Sequence, residues 1–340
     1  MPVVPNPGFH PPPWLRDPHW QTIWPTLFRR VQTIPWRRER LELWDGDFLD
    51  LDWWEGGSDL VRGAKPGSGR LVILAHGLEG NSRRPYMAGM ARAFHRRGWN
   101  VLSWNFRGCS GVANRLFRSY HSGATEDLSA VVRHAERTGR FGSIAVVGFS
   151  LGGNLTLKYL TELGASGGIV RGGAGVSVPC DLEAAAERMT GPDCAFYMKR
   201  FLKDMGEKMR AKERQFPGKL RLEALEGMST FRQFDDAFTA PLHGFRDAQD
   251  YWDQSSCGPR LHQIRVPTLI VNAADDPFLA PACFPARTAD SSAWVHLLAP
   301  ARGGHVGFVS GLGLSGEYWS ETVVADFLTG RFREKDGLPG

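Results

Sequence analysis

The chain has 340 residues, of which 42% are hydrophobic and 23% charged. That suits one large globular α/β domain with insertions, and no window approaches the roughly 18 apolar residues a membrane-spanning helix requires. The net charge of +5 would attract nucleic acid or anionic lipid, but no nucleic-acid-binding motif accompanies it, so the plainer reading is an Arg-rich soluble surface.

The N-terminus, MPVVPNPGFHPPPW, lacks the basic and apolar regions of a secretory signal, which points to a cytoplasmic protein. Nine prolines fall in the first 35 residues. They predict an extended wrapping arm over residues 1–38 rather than helices. Seven of the twelve tryptophans lie within residues 1–54, which is unlike a disordered tail. The arm is therefore expected to pack onto the domain, with the active-site mouth as one candidate location.

Two strands are predicted next, at 40–44 and 48–54, joined by the hairpin signal Asp45-Gly46. A loose Gly/Ser/Pro stretch covers 56–69. Strands and helices then alternate. Residues 71–75 (LVILA) read as a doubly buried strand. A helix follows at 85–97, between Pro85 near its first turn and Gly98 after its end. The pattern continues as strand 100–104, helix 125–138, strand 144–149, helix 151–163 and strand 169–178. After an interruption come strands 267–271 and 293–298 and a helix at 316–328. The alternation implies a mostly parallel twisted sheet with helices on both faces. Ligand sites in such sheets lie beyond the carboxyl ends of the strands. Residues 181–263 hold helical stretches and no clear strand, so they are expected to form a helical cap that walls the pocket. The expected division is thus an arm (1–38), a core in two parts (39–180 and 264–330), the cap between them (181–263), and a flexible tail (331–340).

The sequence GFSLG, residues 148–152, is the one G-x-S-x-G in the chain. It follows an apolar strand and opens a helix, as a nucleophile elbow requires. Ser150 is the expected nucleophile. A serine hydroxyl needs a base at neutral pH, and His305, in GGHVGF after the last strand, supplies it. The orienting acid is expected after the strand at 267–271. Asp276 is chosen there, with Asp275 as the alternative. The backbone N–H groups of Leu78 and Leu151 are the expected oxyanion donors. His76 is read as a structural support of its loop.

Weaker signals surround these. Cys109 reads as a small packed residue. The stretch 198–221 carries nine Lys/Arg against three acids, read first as a solvated helical face and second as a lipid contact. Asp235-Asp236 resembles half a metal site without partners. The five cysteines (Cys109, Cys180, Cys194, Cys257, Cys283) form no C-x-x-C pair, and H-E-x-x-H is missing; a disulfide framework, zinc site or other metal site is not expected.

The segments PPPWLRDPHWQTIWPTLFRR, HGLEGNS, NFRGCSG, GFSLGGN, FDDAFTAPLHGFRDAQDYW, NAADDPF and GGHVGF together resemble the AB hydrolase 4 family. Its bacterial members are YheT-like hydrolases, and its animal members are lipid-handling ABHD proteins. The resemblance covers about residues 10 to 330. It implies the α/β-hydrolase fold, a triad falling on Ser150, Asp276 and His305, and esterase-type activity on short-chain esters or glycerolipids. The animal members carry an N-terminal membrane anchor. None is read here, so any lipid role is expected from the soluble side.

The expected function is a serine hydrolase cleaving carboxylic esters, short-chain or lipid-derived, without a cofactor. A thioesterase or amidase on the same triad, or a non-catalytic binding protein on a hydrolase scaffold, are the alternatives. The expected partner is a small-molecule ester and not nucleic acid; a peripheral membrane contact stays open, and the sequence does not decide the oligomeric state.

Overall fold

A computed structural model describes residues 8–56, 69–164 and 168–336, the last four of these by backbone alone. The loose stretch expected at 56–69 falls almost wholly outside these residues.

The sheet begins with an antiparallel hairpin of β1 (Arg37–Glu42) and β2 (Phe48–Trp54). Its start lies three residues before the predicted one. The register sets Arg38 opposite Asp52 and Arg40 opposite Asp50. Each arginine forms two hydrogen bonds to the facing carboxylate, at 2.6–3.0 Å. Cross-strand ion pairs of this kind extend a strand that its apolar pattern alone would not mark.

The remaining strands are β3 (Gly69–Ala75), β4 (Asn100–Trp104), β5 (Phe141–Phe149), β6 (Val170–Val176), β7 (Thr268–Val271) and β8 (Val295–Leu298). Their order across the sheet is β1-β2-β4-β3-β5-β6-β7-β8. β2 runs antiparallel to β4, and all later pairings are parallel. Side chains alternate along β5: Ile144 and Val146 join one buried layer, while Ala145, Val147 and Phe149 join the other. A strand covered on both faces reads as a continuous apolar run for this reason.

Helix α1 (Pro18–Phe28) lies in the arm. The others in the core are α2 (Pro85–Arg96), α3 (Thr125–Arg137) and α4 (Leu151–Glu162). Between β6 and β7 come α5 (Leu182–Arg188), α6 (Ala195–Gln215), α7 (Phe231–Phe234), a π-turn (Asp235–Thr239), α8 (Ala240–His243) and α9 (Ala248–Ser255). α10 (Ala286–Ser291) and α11 (Trp319–Asp336) close the chain. Residues 181–263 contribute no strand among the described residues.

Two expectations are corrected. The arm is not extended throughout, because Pro18–Phe28 is α-helical. Pro18 stands at the first turn, where its missing N–H costs nothing, and the Asp17 carboxylate accepts from the amides of His19 and Trp20. The expectation of a flexible tail from residue 331 is also corrected for residues 331–336. α11 runs to Asp336, because Phe332 is buried with its ring 4.8 Å from that of Trp99.

The arm is fastened by a buried ion pair. Arg29 donates to both oxygens of Glu321 at 2.5 and 2.8 Å and to the Gly316 carbonyl at 3.1 Å. Its guanidinium lies 3.6 Å from the centre of the Tyr318 ring. Leu15 and Gln21 are also buried.

Candidate active site

Ser150 sits between β5 and α4 with φ 52° and ψ −121°, a left-handed conformation for a non-glycine residue. Such a turn demands glycine beside it. A Cβ at Gly148 would overlap the carbonyl of Gly152, and one at Gly152 would overlap that of His76. The Ser150 amide donates to Val176 O at 2.9 Å, which ties the turn to β6 and points the side chain above the sheet's carboxyl edge.

His305 comes from the loop after β8. Its Nε2 lies 2.9 Å from Ser150 Oγ, and its Nδ1 lies 2.9 and 3.1 Å from the two Asp276 oxygens. Asp276 is 4% exposed and also accepts from the Phe278 amide. The neighbouring Asp275 points elsewhere, accepting from Gly304 N–H at 3.0 Å; burial raises its pKa. The structure therefore brings Ser150, His305 and Asp276 into one chain of contacts and leaves Asp275 as a support of the histidine loop.

Leu78 and Leu151 both line the cavity that holds Ser150 and His305. Leu151 is the first residue of α4, where backbone N–H groups lack intrahelical acceptors. The next residue after Leu78, Glu79, adopts φ 52°. Its carboxylate accepts from Tyr120 OH at 2.6 Å and pairs with Lys208 of the cap at 3.0 Å. His76 is buried, with Nδ1 2.8 Å from Gly77 O, and its Nε2 accepts from the Phe106 amide. Burial pushes its pKa down to about 3. It is a neutral brace between two loops.

The weaker signals resolve individually. Cys109 is buried with Sγ 3.0 Å from Lys208 Nζ, and burial raises its pKa to about 11. Lys208 and Lys212, one turn apart in the basic stretch, turn inward. Lys212 donates to Asn114 Oδ1 and Leu116 O, so that stretch is not uniformly a solvated face. Asp235 and Asp236 diverge: the first accepts from Trp252 and Thr239, the second caps Ala248. All five cysteines are free and buried.

Three supporting residues were missed by sequence reasoning. Thr22 Oγ1 of α1 accepts the His305 amide at 2.9 Å. Gln21 Oε1 accepts from Val309, and Ser177 Oγ accepts from Val306. The arm thus packs directly on the histidine loop. The capping signal Asp17-Pro18 could have disclosed its helix; no local signal marks the contacts themselves.

Two spaces meet at Ser150. An inner cavity of about 160 Å³ lies beneath the cap, with Met205, Met209, Phe231 and Phe234 on its wall. An outer cleft of about 320 Å³ runs between α1 and α6, past Thr22, Leu27, Phe196 and Arg200.

A parallel sheet carrying a serine on a strained strand-to-helix turn, with a histidine loop above it, defines an α/β hydrolase. The family model for the alpha/beta hydrolase fold matches residues 70–312. The chain is 39% identical over 317 residues to the Escherichia coli protein named "Putative esterase YheT", covering 92% of this chain and 90% of that one. It is 28% identical to the mouse protein named "Phospholipase ABHD3", covering 89% and 74%. The Pyrococcus furiosus esterase PF2001 superimposes with a TM-score of 0.55 at 16% identity, covering 88% and 95%, a likeness of fold alone. The chain belongs to the α/β-hydrolase family, within its YheT-like AB hydrolase group. No helix among the described residues is long and apolar enough to cross a membrane.

Proposed function

We propose that the protein is a serine carboxylic-ester hydrolase acting on short-chain or lipid-derived esters. The observation that carries this reading is the contact chain from Ser150 Oγ through His305 to Asp276, at 2.9 Å on each side of the imidazole. Ser150 attacks the ester carbonyl while His305 Nε2 takes its proton. The Leu78 and Leu151 amides stabilise the tetrahedral oxyanion. His305 then protonates the departing alcohol, and the acyl group remains on Ser150. Water, deprotonated by the same imidazole, attacks the acyl-enzyme and releases the acid. Asp276 holds the imidazole with Nδ1 protonated and stabilises the imidazolium.

The apolar side chains on the inner cavity's wall, Met205, Met209, Phe231 and Phe234 among them, support an acyl substrate, as do the esterase and phospholipase named among the relatives. The exposed Leu27 and Phe196 on the cleft rim suit a lipid-derived substrate arriving from that side. The test is labelling with a fluorophosphonate probe alongside turnover of p-nitrophenyl esters. Wild type should be labelled and active, and Ser150→Ala should lose both. Equal turnover by Ser150→Ala would reject the assignment.

A further inference from the structure

One wall of the inner cavity is polar, and the hydrolytic steps above do not use it. His121, from the β4–α3 loop, and His243, the last residue of α8, both line this wall. Their ring centroids are 4.6 Å apart and their planes are tilted by 55°. Phe245 and Tyr251 meet the His121 ring edge-on at 5.3 and 5.8 Å, which fixes its orientation. The Gly123 amide donates to His121 Nδ1 at 3.2 Å. In the neutral ring the proton must then sit on Nε2, leaving a donor without a partner among the described residues. The His243 ring makes no hydrogen bond to any described residue and keeps part of its surface open to the cavity.

We propose that His121 and His243 form a hydroxyl-reading subsite, and that the enzyme selects esters whose acyl chain carries a hydroxyl group over the same esters without it. The proposal rests on the serine-esterase reading above. A hydroxyl both donates and accepts. The His121 Nε2–H offers the donor, and a neutral His243 offers an acceptor nitrogen. Burial keeps both rings neutral, lowering the His121 pKa to about 3 and that of His243 further. Polar groups buried in a cavity without partners favour a ligand that satisfies them over an apolar one that does not.

The acyl half is the part that reaches this wall. Thr22 and Val306, which flank His305 on the arm side, line the outer cleft and not the inner cavity. His305 borders both spaces, so its proton can reach an alcohol in the outer cleft beside Thr22 and Val306; we place the leaving alcohol there and the acyl chain in the inner cavity. A carboxylate in the acyl chain would be poorly received. Asp235 lies on the same cavity wall, accepting from Thr239 Oγ1 at 2.6 Å and Trp252 Nε1 at 2.9 Å. The other charged groups there, Glu79 and Lys208, are paired with each other.

The experiment measures binding in the Ser150→Ala protein, so that it does not depend on turnover. Ethyl hexanoate and its 3-, 4-, 5- and 6-hydroxy analogues are titrated by calorimetry. At least one hydroxy ester should bind about tenfold or more tightly than the parent. Adding His243→Leu should bring that ratio close to one, and His243→Asn, which retains a donor and an acceptor, should restore part of it. If no hydroxy ester binds better than the parent, or if the preference survives His243→Leu, the subsite is wrong. Failure of the esterase reading would appear separately, as wild-type protein that fluorophosphonate does not label.

Discussion

Arg29→Met tests how firmly the arm belongs to the fold. The Arg29 and Glu321 side chains are 1% and 3% exposed. The substitution removes two charge-assisted hydrogen bonds, a third to the Gly316 carbonyl and the stacking on Tyr318. It leaves Glu321 buried, with the Tyr318 amide as its remaining partner. Breaking a buried pair by removing one member costs about 3–5 kcal/mol. For a chain of this length the unfolding entropy converts that loss to about 4–7 °C in Tm.

The effect should depend on pH. Burial already raises the Glu321 pKa against the opposing pull of Arg29, and without Arg29 it rises further. A carboxyl whose folded pKa lies above its unfolded value gives stability below the unfolded pKa and loses it as pH rises through the folded one. The variant should therefore be closer to wild type at pH 5 than at pH 8. Differential scanning fluorimetry and urea midpoints at both values read this. Arg29→Met/Glu321→Leu should recover much of the loss, since an apolar pair of similar volume replaces the uncompensated charge. A single variant that melts within about 1 °C of wild type would refute the reasoning, as would a double variant no more stable than the single one.

Thr22→Val should lower kcat about tenfold by freeing the His305 amide from its acceptor, with Thr22→Ser close to wild type; steady-state kinetics on a p-nitrophenyl ester reads both. Asp276→Asn should lose about 10³–10⁴ in kcat in the same assay, and Asp275→Asn far less; the reverse ranking would transfer the orienting role to Asp275. Asp235, whose pKa burial pushes up to about 7, should make wild type less stable as pH rises from about 4 through 7. Asp235→Asn should narrow the difference in urea midpoint between pH 5 and pH 8, and an unchanged difference would contradict that sign.

The alternation of doubly buried strands with amphipathic helices was legible because each element buries its own local pattern. Strand β4 and helix α2 fall within one residue of their expected limits. The elbow was legible for the same reason, since a serine between small residues at a strand-to-helix boundary is a local feature. The arm's helix was obscured by the density of prolines around it; Pro18 stands at the first turn, where it favours a helix, and Pro25 lies buried inside α1 without ending it. Asp275 and Asp276 are adjacent in sequence and similar in chemistry. Which carboxylate faces the imidazole depends on a turn whose geometry is set by β7 and the His305 loop together.

Local pattern by itself determined the sheet, the helices that cover it and the serine turn, because periodicity and small-residue turns act over a few positions. Tertiary structure decided the contacts that hold the histidine loop and shape the cavity. Thr22 meets His305 across 283 positions and Arg29 meets Glu321 across 292. His121 and His243 become neighbours only where the cap closes over the β4–α3 loop. Side chains that meet at such separations leave no periodic trace, and their geometry exists only once the sheet, cap and arm have packed together.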